Sequence, residues 1–590
     1  MESTVRGVPA SPGIVVGPAH LLKWEVPDVT HRVISDDEIE SELERFETAL
    51  AEAAARLRQV RDRAERRAGP EEAAIFDVQL TILQDTALCD ATRSYIRQNL
   101  CAEKAFDLVM LEWRQNFARS AVPMVRERVG DLTDVQIRVL LLLLGLPDHE
   151  PVDLPKGAGA ILVTHDLTPS LTVQLDPDAI AGIATDAGTR TSHVAILARS
   201  LGLPAVVGLR TATARLAGGE RVVLDGHSGT LSVSPTDAEI EAYLRRQERQ
   251  AASDAELRVH AGEVAITTDG EEVTIRANVD LPEEAEAAAT SGADGVGLMR
   301  TEFLVVGRAN MPDEEEQFRA YVRVVRAFGG RPVIIRTFDI GGDKLPIGGF
   351  PVEANPFLGW RAIRMCLDQP DLFKVQLRAI LRAGCEGDVR LMVPLVVNVD
   401  EMRATRTLMA EAAAELAERG VPHKSSLPLG AMIETPAASV LADAFAAEAD
   451  FLSIGTNDLV QYTLAVDRGN VNLASRFTPL HPAVLRLIAR IADAGKAAGC
   501  DVSVCGEMAS EPLAAFCMIG LGLRQLSVSP RAVPLVKRVV RGMSVAIAEV
   551  AARAALLTTS HEAAEAELRR RLFAVFGDAV FLREELALDE

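Results

Sequence analysis

Residues 427–458, LPLGAMIETPAASVLADAFAAEADFLSIGTND, hold two short aliphatic runs separated by an Ala-rich segment of helical character. Each run is dense in apolar side chains and closed by polar residues, the texture of a strand buried on both faces. The same unit recurs through the second half of the chain. VTIRANV (273–279), GVGLMRTEF (295–303), PVIIRTFDI (332–340), RLMVPLV (390–396), DVSVCGEM (501–508) and QLSVSP (525–530) bring the strands to eight, with helical stretches between them. Eight such repeats over about 330 residues are the arithmetic of a (β/α)8 barrel, expected over 262–590.

Upstream the texture changes. Residues 7–22, GVPASPGIVVGPAHLL, predict one or two short strands. Over 23–145 apolar residues recur at three-to-four spacing, as in Ile39, Leu43, Phe46, Leu50 and again in Ile75, Val78, Ile82. These predict amphipathic helices, broken at Gly69-Pro70 and at Gly130. Residues 146–233 return to short β-branched runs with a helix at HVAILARSL, a small α/β domain that residues 1–22 are expected to join. The charged segment 234–261 predicts a solvated linker helix. The fold class is therefore multidomain α/β, with a helical-bundle insert in a small α/β domain and a C-terminal barrel.

Composition narrows the function. The chain has 590 residues, 48% hydrophobic and 25% charged, with 62 Lys+Arg against 84 Asp+Glu for a net charge of −22. That field repels nucleic acid and anionic membrane, so neither is expected as a partner. The longest aliphatic run, 139–144, is far short of a membrane span, and the N-terminus lacks the apolar core of a secretory signal. Seven sparse cysteines do not form a disulfide framework. A cytoplasmic location with reduced thiols is expected.

In a (β/α)8 barrel the chemistry sits at the C-terminal ends of the strands. Those ends carry Arg300, Arg336, Glu434, Asn457-Asp458 and Cys505-Gly506-Glu507, with Arg468 ten residues after Asp458. Several Arg forks imply a substrate with more than one anionic group. Glu434 and Asp458 offer the hard oxygens that Mg²⁺ takes. Cys505 among these charges is a candidate acid of tunable pKa, or a small buried hydrophobe. The set suggests a small phosphorylated carboxylate held on Mg²⁺. In the α/β domain, Asp186-Ala187-Gly188-Thr189-Arg190-Thr191-Ser192-His193 places an imidazole where hydroxyls open a helix. A neutral histidine there is a competent phosphoryl nucleophile, or a packed residue at a helix start.

These segments resemble a known family. TDAGTRTSHVAILARSLGLPAVVG is similar to the phosphohistidine signature of phosphoenolpyruvate-utilising enzymes. LMRTEFL, IRTFDIGGDK, NPFLGWRAIR, AMIETPAA, FLSIGTNDLVQYTLAVDRGN and VCGEMA resemble enzyme I of the phosphoenolpyruvate:sugar phosphotransferase system, in order along the chain. The resemblance implies that His193 takes the phosphoryl group of phosphoenolpyruvate through Nε2, and that Thr172 hydrogen-bonds that histidine. It implies that Arg300, Arg336 and Arg468, with Asn457 and Asp458, bind substrate, that Glu434 and Asp458 hold Mg²⁺, and that Cys505 protonates the enolate to pyruvate. It also implies onward transfer to a histidine of the small carrier HPr docked on the insert, a homodimer through the barrel, and a phosphohistidine domain that swings. Where the family's docking helices expose Met or Leu, the face here is expected to carry Gln79, Thr81, Gln84 and Ala87. A dikinase or synthase of the same chemistry would need a nucleotide-binding domain that these residues do not suggest. A regulatory sensor or a lyase barrel leaves the phosphohistidine signature without a role.

Overall fold

The computed structural model describes residues 4–577 apart from 12, 23, 25, 69, 119–127, 147–158, 168–170, 172–174, 176–178, 189–193, 195–197, 199–201, 306–310, 342–352, 354, 469, 471–472 and 474–475. The chain divides between Arg249 and Gln250 into two compact units.

In the first unit the N-terminal residues form three strands rather than one or two: β1 (Thr4–Arg6), β2 (Val8–Ser11) and β3 (Ile14–Leu22). They join β4 (Ala160–Thr164), β5 (Ile180–Thr185), β6 (Ala205–Val207), β7 (Arg221–Asp225) and β8 (Thr230–Val233) in a sheet of order β1-β8-β7-β3-β4-β5-β6-β2. The run β3-β4-β5-β6 is parallel and its flanks are antiparallel. Alternation gives the sheet two apolar faces. Leu162 packs with Ala10, Ile183 and Val207, while Ile161 and Val163 pack with Ala184 and Leu224.

Between β3 and β4 lie five described helices, α1 (Ile39–Ala68), α2 (Pro70–Leu83), α3 (Thr86–Ile96), α4 (Ala102–Ala118) and α5 (Val129–Leu143). Phe46, Leu57, Phe76, Leu88, Phe106 and Leu140 form their common core. The break expected at Gly130 falls just before it, at Arg128, and Gly130 itself sits in the first turn of α5. A stop the sequence reading missed is Asp85, whose Oδ1 accepts the amides of Ala87 (2.9 Å) and Leu88 (3.1 Å) and so opens α3. Gln79, against expectation, is not on an exposed face. It is fully buried, and its Nε2 donates to Asp131 Oδ1 (3.3 Å) and Asp134 Oδ2 (3.2 Å) of α5. Thr81, Gln84 and Ala87 are exposed.

The charged segment forms α6 (Asp237–Val259). Its Ile240 packs on Ile14 and Val223 of the sheet, so its first turn is anchored. The second unit holds β9 (Thr274–Val279), β10 (Val296–Met299), β11 (Val333–Arg336), β12 (Val389–Val393), β13 (Leu429–Ile433), β14 (Phe451–Ile454), β15 (Asp501–Val504) and β16 (Gln525–Val528). All pair in parallel and close on themselves, β16 meeting β9 with Leu526 opposite Ile275. Residues such as Ile275, Ile335, Leu391 and Ile433 point out beneath the helices. Leu298, Ile334, Met392, Met432, Phe451 and Cys505 fill the lumen.

Candidate functional site

The ends of the barrel strands carry the charges that the sequence placed there. β11 reads Val-Ile-Ile-Arg with every residue buried, so its last side chain, Arg336, enters the mouth without water to solvate it. It is held by Glu302 through Nη2 and by Asp339 Oδ2 at 3.2 Å from Nη1, while its Nε has no hydrogen-bond partner among the described residues. Burial opposes its charge, but Glu302, Asp339 and Glu434 outweigh that and raise its pKa. Arg300, one residue past β10, places Nη1 3.3 Å from both oxygens of Asp280. Burial again opposes the charge, and Asp280, Glu302 and Glu507 prevail. Both guanidiniums are thus permanently cationic, and Arg336 keeps a free donor.

The carboxylates face them. Glu434 follows β13, and its Oε1 accepts the amide of Leu395 at 2.7 Å. Leu395 is itself a non-glycine residue at φ 57°, a left-handed turn that aims this amide into the site. Burial and then the charges of Asp458 and Asp339 push the Glu434 carboxyl up to about 8, against the pull of Arg336 and Arg361. Asp458 lies in the first turn of helix Thr456–Leu464, with Oδ2 3.5 Å from Arg361 Nη2 and Oδ1 3.8 Å from Arg468 Nη2. Its buried Oδ1 accepts no hydrogen bond among the described residues. Two glycines make this packing possible: a Cβ on Gly455 would strike Glu434 Oε2, and one on Gly506 would strike Thr456 Oγ1.

Cys505 sits at the end of β15, fully buried, with Sγ 3.6 Å from the Ile454 carbonyl. Burial pushes its thiol up to about 11, with Glu434 adding to the rise and Ser453, Arg336 and Arg300 opposing it. Asn457 and Glu507 are tied reciprocally, Asn457 Nδ2 donating to Oε1 at 3.3 Å and the Glu507 amide to Asn457 Oδ1 at 3.2 Å. The mouth therefore gathers Arg300, Arg336, Glu434, Asn457, Asp458, Arg468 and Cys505. His193 and Thr172 lie outside the described residues. Ahead of His193 in sequence, Asp186 caps helix Ala212–Arg215, accepting from the amides of Ala212 (2.6 Å) and Thr213 (3.1 Å).

Several partners went unnamed in the sequence reading: Asp280, Glu302, Asp339 and Arg361. Arg361 bonds Asp339 Oδ1 through Nη2 at 2.5 Å while touching Asp458. Each but Asp280 sits inside a string quoted above, yet strand-end counting stops at the first charged residue.

The donor set fits a hard divalent cation. Two crowded, buried carboxylates with one unpartnered oxygen are what such an ion relieves. No cluster of three or more His, Cys, Asp or Glu among the described residues could hold a metal alone, so substrate oxygens and water would complete the shell. Chemically the mouth can bind a multiply anionic small molecule, neutralise charge developing on it, and supply one proton from sulfur.

Family models described as PEP-utilising enzyme N-terminal, mobile and PEP-binding domains match residues 6–128, 156–229 and 254–545. A phosphoenolpyruvate-protein phosphotransferase of Geobacillus stearothermophilus is 41% identical over 90% of this chain and 91% of its own. Proteins of the same name from Haemophilus influenzae and Priestia megaterium are 40% and 39% identical, over 94% and 92% of this chain and 96% and 95% of theirs.

Proposed function

This chain belongs to the phosphoenolpyruvate-protein phosphotransferases, and we propose that it runs that reaction with the residues gathered at the barrel mouth. It is an enzyme of phosphoryl transfer from phosphoenolpyruvate to a carrier protein, and the carrier is a small HPr-like protein phosphorylated on histidine. In the first half-reaction the bridging P–O bond breaks as His193 Nε2 bonds to phosphorus, with Thr172 orienting the imidazole. The electron pair stays on the enolate oxygen, Cys505 Sγ–H gives its proton to the methylene carbon, and pyruvate leaves. The carrier's histidine then attacks the same phosphorus and frees His193.

The physics supports these roles. Charge in phosphoryl transfer is anionic throughout, so fixed cations do most of the work. Arg300, Arg336 and Arg468 bind phosphate and carboxylate, helped by Asn457 and Asp458. Glu434 and Asp458 would hold Mg²⁺, which supplies a Lewis-acid charge against the substrate oxygens when bound. A thiol whose pKa is raised by burial remains a proton donor at neutral pH. Homodimerisation through the barrel and a cytoplasmic location belong to the same reading. All seven cysteines are free, and no helix among the described residues is long and apolar enough to cross a membrane.

The observation that carries the reading is the convergence of Arg300, Arg336, Glu434, Asp458 and the buried Cys505 thiol on one barrel mouth. Its test is incubation with phosphoenolpyruvate and Mg²⁺, followed by intact mass and site mapping. One acid-labile, base-stable phosphoryl group on His193, with matching pyruvate release, is expected. A folded, metal-supplied protein that gains no phosphoryl group would overturn the reading.

A further inference from the structure

The opposite end of the barrel holds charges that the mouth chemistry does not use. On β9, Ile275 and Ala277 pack outward beneath the helices, so Arg276 between them points into the lumen. On β12, Leu391 and Val393 point outward and Met392 inward, so Arg390, two residues before Met392, faces inward as well. Both lie toward the N-terminal ends of their strands: Arg276 is two residues before Asn278, the register partner of lumen-filling Leu298, and Arg390 is two residues before Met392. Arg336 lies two residues beyond Ile334, toward the mouth, whereas Arg390 lies two residues before Met392, toward the N-terminal end.

Arg276 is 8% exposed, and its buried Nε has no hydrogen-bond partner among the described residues. The structure gives its guanidinium no hydrogen bond and no ion pair to any described residue. The nearby carboxylates are committed or distant. Asp388 pairs with Arg390 at 3.1 Å, and Asp294 pairs with Lys537 at 3.3 Å while accepting the Ile275 amide at 2.7 Å. Asp501, at the start of β15, is exposed and forms no ion pair with Arg276. Burial and then the like charge of Arg390 lower the pKa of Arg276, with Asp501, Asp388 and Asp294 opposing. A guanidinium in this state is costly unless something outside the chain accepts its protons. The polar lumen residue beside it, Ser527, pairs in register with Arg276 and gives its own hydroxyl to Asn278 Oδ1 at 2.6 Å. It offers Arg276 no relief.

We infer that the N-terminal floor of the barrel is an anion site, in which Arg276 takes a small tetrahedral oxyanion of the phosphate or sulfate type. The planar guanidinium fork matches such oxygens in bidentate fashion, and its own charge favours an anion. The lumen residues between floor and mouth separate this site from the substrate arginines Arg300 and Arg336. It is a stabilising site and stands apart from the phosphotransfer reading.

Selenate, a tetrahedral oxyanion with an anomalous signal, is the probe. Crystals of the full chain soaked in selenate should show an anomalous peak within hydrogen-bond distance of the Arg276 guanidinium. Arg276→Met, which keeps much of the side-chain volume, should lose it. In solution at constant ionic strength, sulfate should raise the Tm of the wild type by about 3 °C more than that of Arg276→Met. The proposal is overturned by water alone at Arg276, by a peak that persists in the variant, or by equal sulfate-dependent shifts in both proteins. Pyruvate release by Arg276→Met reports separately on the mouth, so failure of one reading leaves the other standing.

Discussion

At Cys505, burial and the neighbouring Glu434 push the thiol up to about 11, so the proton stays on sulfur across the neutral range. The proposed proton donation is then flat in rate from pH 7 to 9 and falls only as the pH approaches that value, because loss of the proton removes the donor. Replacing the donor removes the step itself. Cys505→Ala should still form phosphohistidine from phosphoenolpyruvate but deliver the pyruvate methyl proton about 10²-fold more slowly. Stopped-flow pyruvate detection beside intact mass separates the two, and unchanged pyruvate release would remove Cys505 from the mechanism. At this scale the sequence revealed much: charged residues at strand ends mark a barrel mouth whatever the fold's history. It did not reveal Glu302, Asp339 or Arg361, because a counter-ion is recognised by what it touches and not by its spacing. Leu395 was equally hidden, since nothing in Val-Pro-Leu-Val announces a left-handed residue.

Single elements show where periodicity stops informing. On α2 the expected stripe is displaced by one position: Phe76, Gln79 and Leu83 are buried while Val78 and Ile82 are only partly so, because this helix has two partners, α1 and α5. One helix's pattern cannot say that a polar Gln79 will be covered, with its amide nitrogen bonded by the aspartates of another. Helix ends follow the same logic. Gly130 marks the start of α5, whereas the boundary between α2 and α3 carries no glycine and is set by the Asp85 side chain. Asp85→Ala should therefore lower stability by about 1 kcal/mol with little effect on phosphotransfer, as read by chemical denaturation. In the barrel, helix Glu314–Ala327 is pinned at its first residue. Glu314 meets Arg378 at 2.7 Å and both Arg382 and Arg419 at 2.8 Å. Burial opposes its charge, but the hydrogen bonds of Arg419, Arg378 and Arg382 win and hold the carboxyl at about 2, below its ordinary 4.5. A depressed carboxyl stabilises the fold fully above pH 4.5 and loses that contribution as the pH falls toward 2. Glu314→Gln should cost the barrel on the order of 3 kcal/mol at pH 7, and the difference from wild type should shrink on acidification below pH 4.5. A pH-independent difference would mean that packing, not charge, is what the substitution disturbs.

For the whole molecule, the alternation of short buried strands with Ala-rich helices was enough to predict the closed barrel, because only a layered α/β arrangement buries both faces of such strands. The eight-stranded sheet of the first unit was less legible, since β1 and β2 are too short for their pairing with β8 and β6 to show in local pattern. The functional account joins the units chemically: a phosphoryl group leaves phosphoenolpyruvate at the barrel mouth, rests on one histidine, and departs to a carrier. That relay is tested most directly by following a labelled phosphoryl group from phosphoenolpyruvate through the purified protein to HPr, in the wild type and in His193→Ala. The account predicts label first on His193 and then on the carrier in the wild type, and on neither in the variant. A carrier labelled by His193→Ala would contradict it.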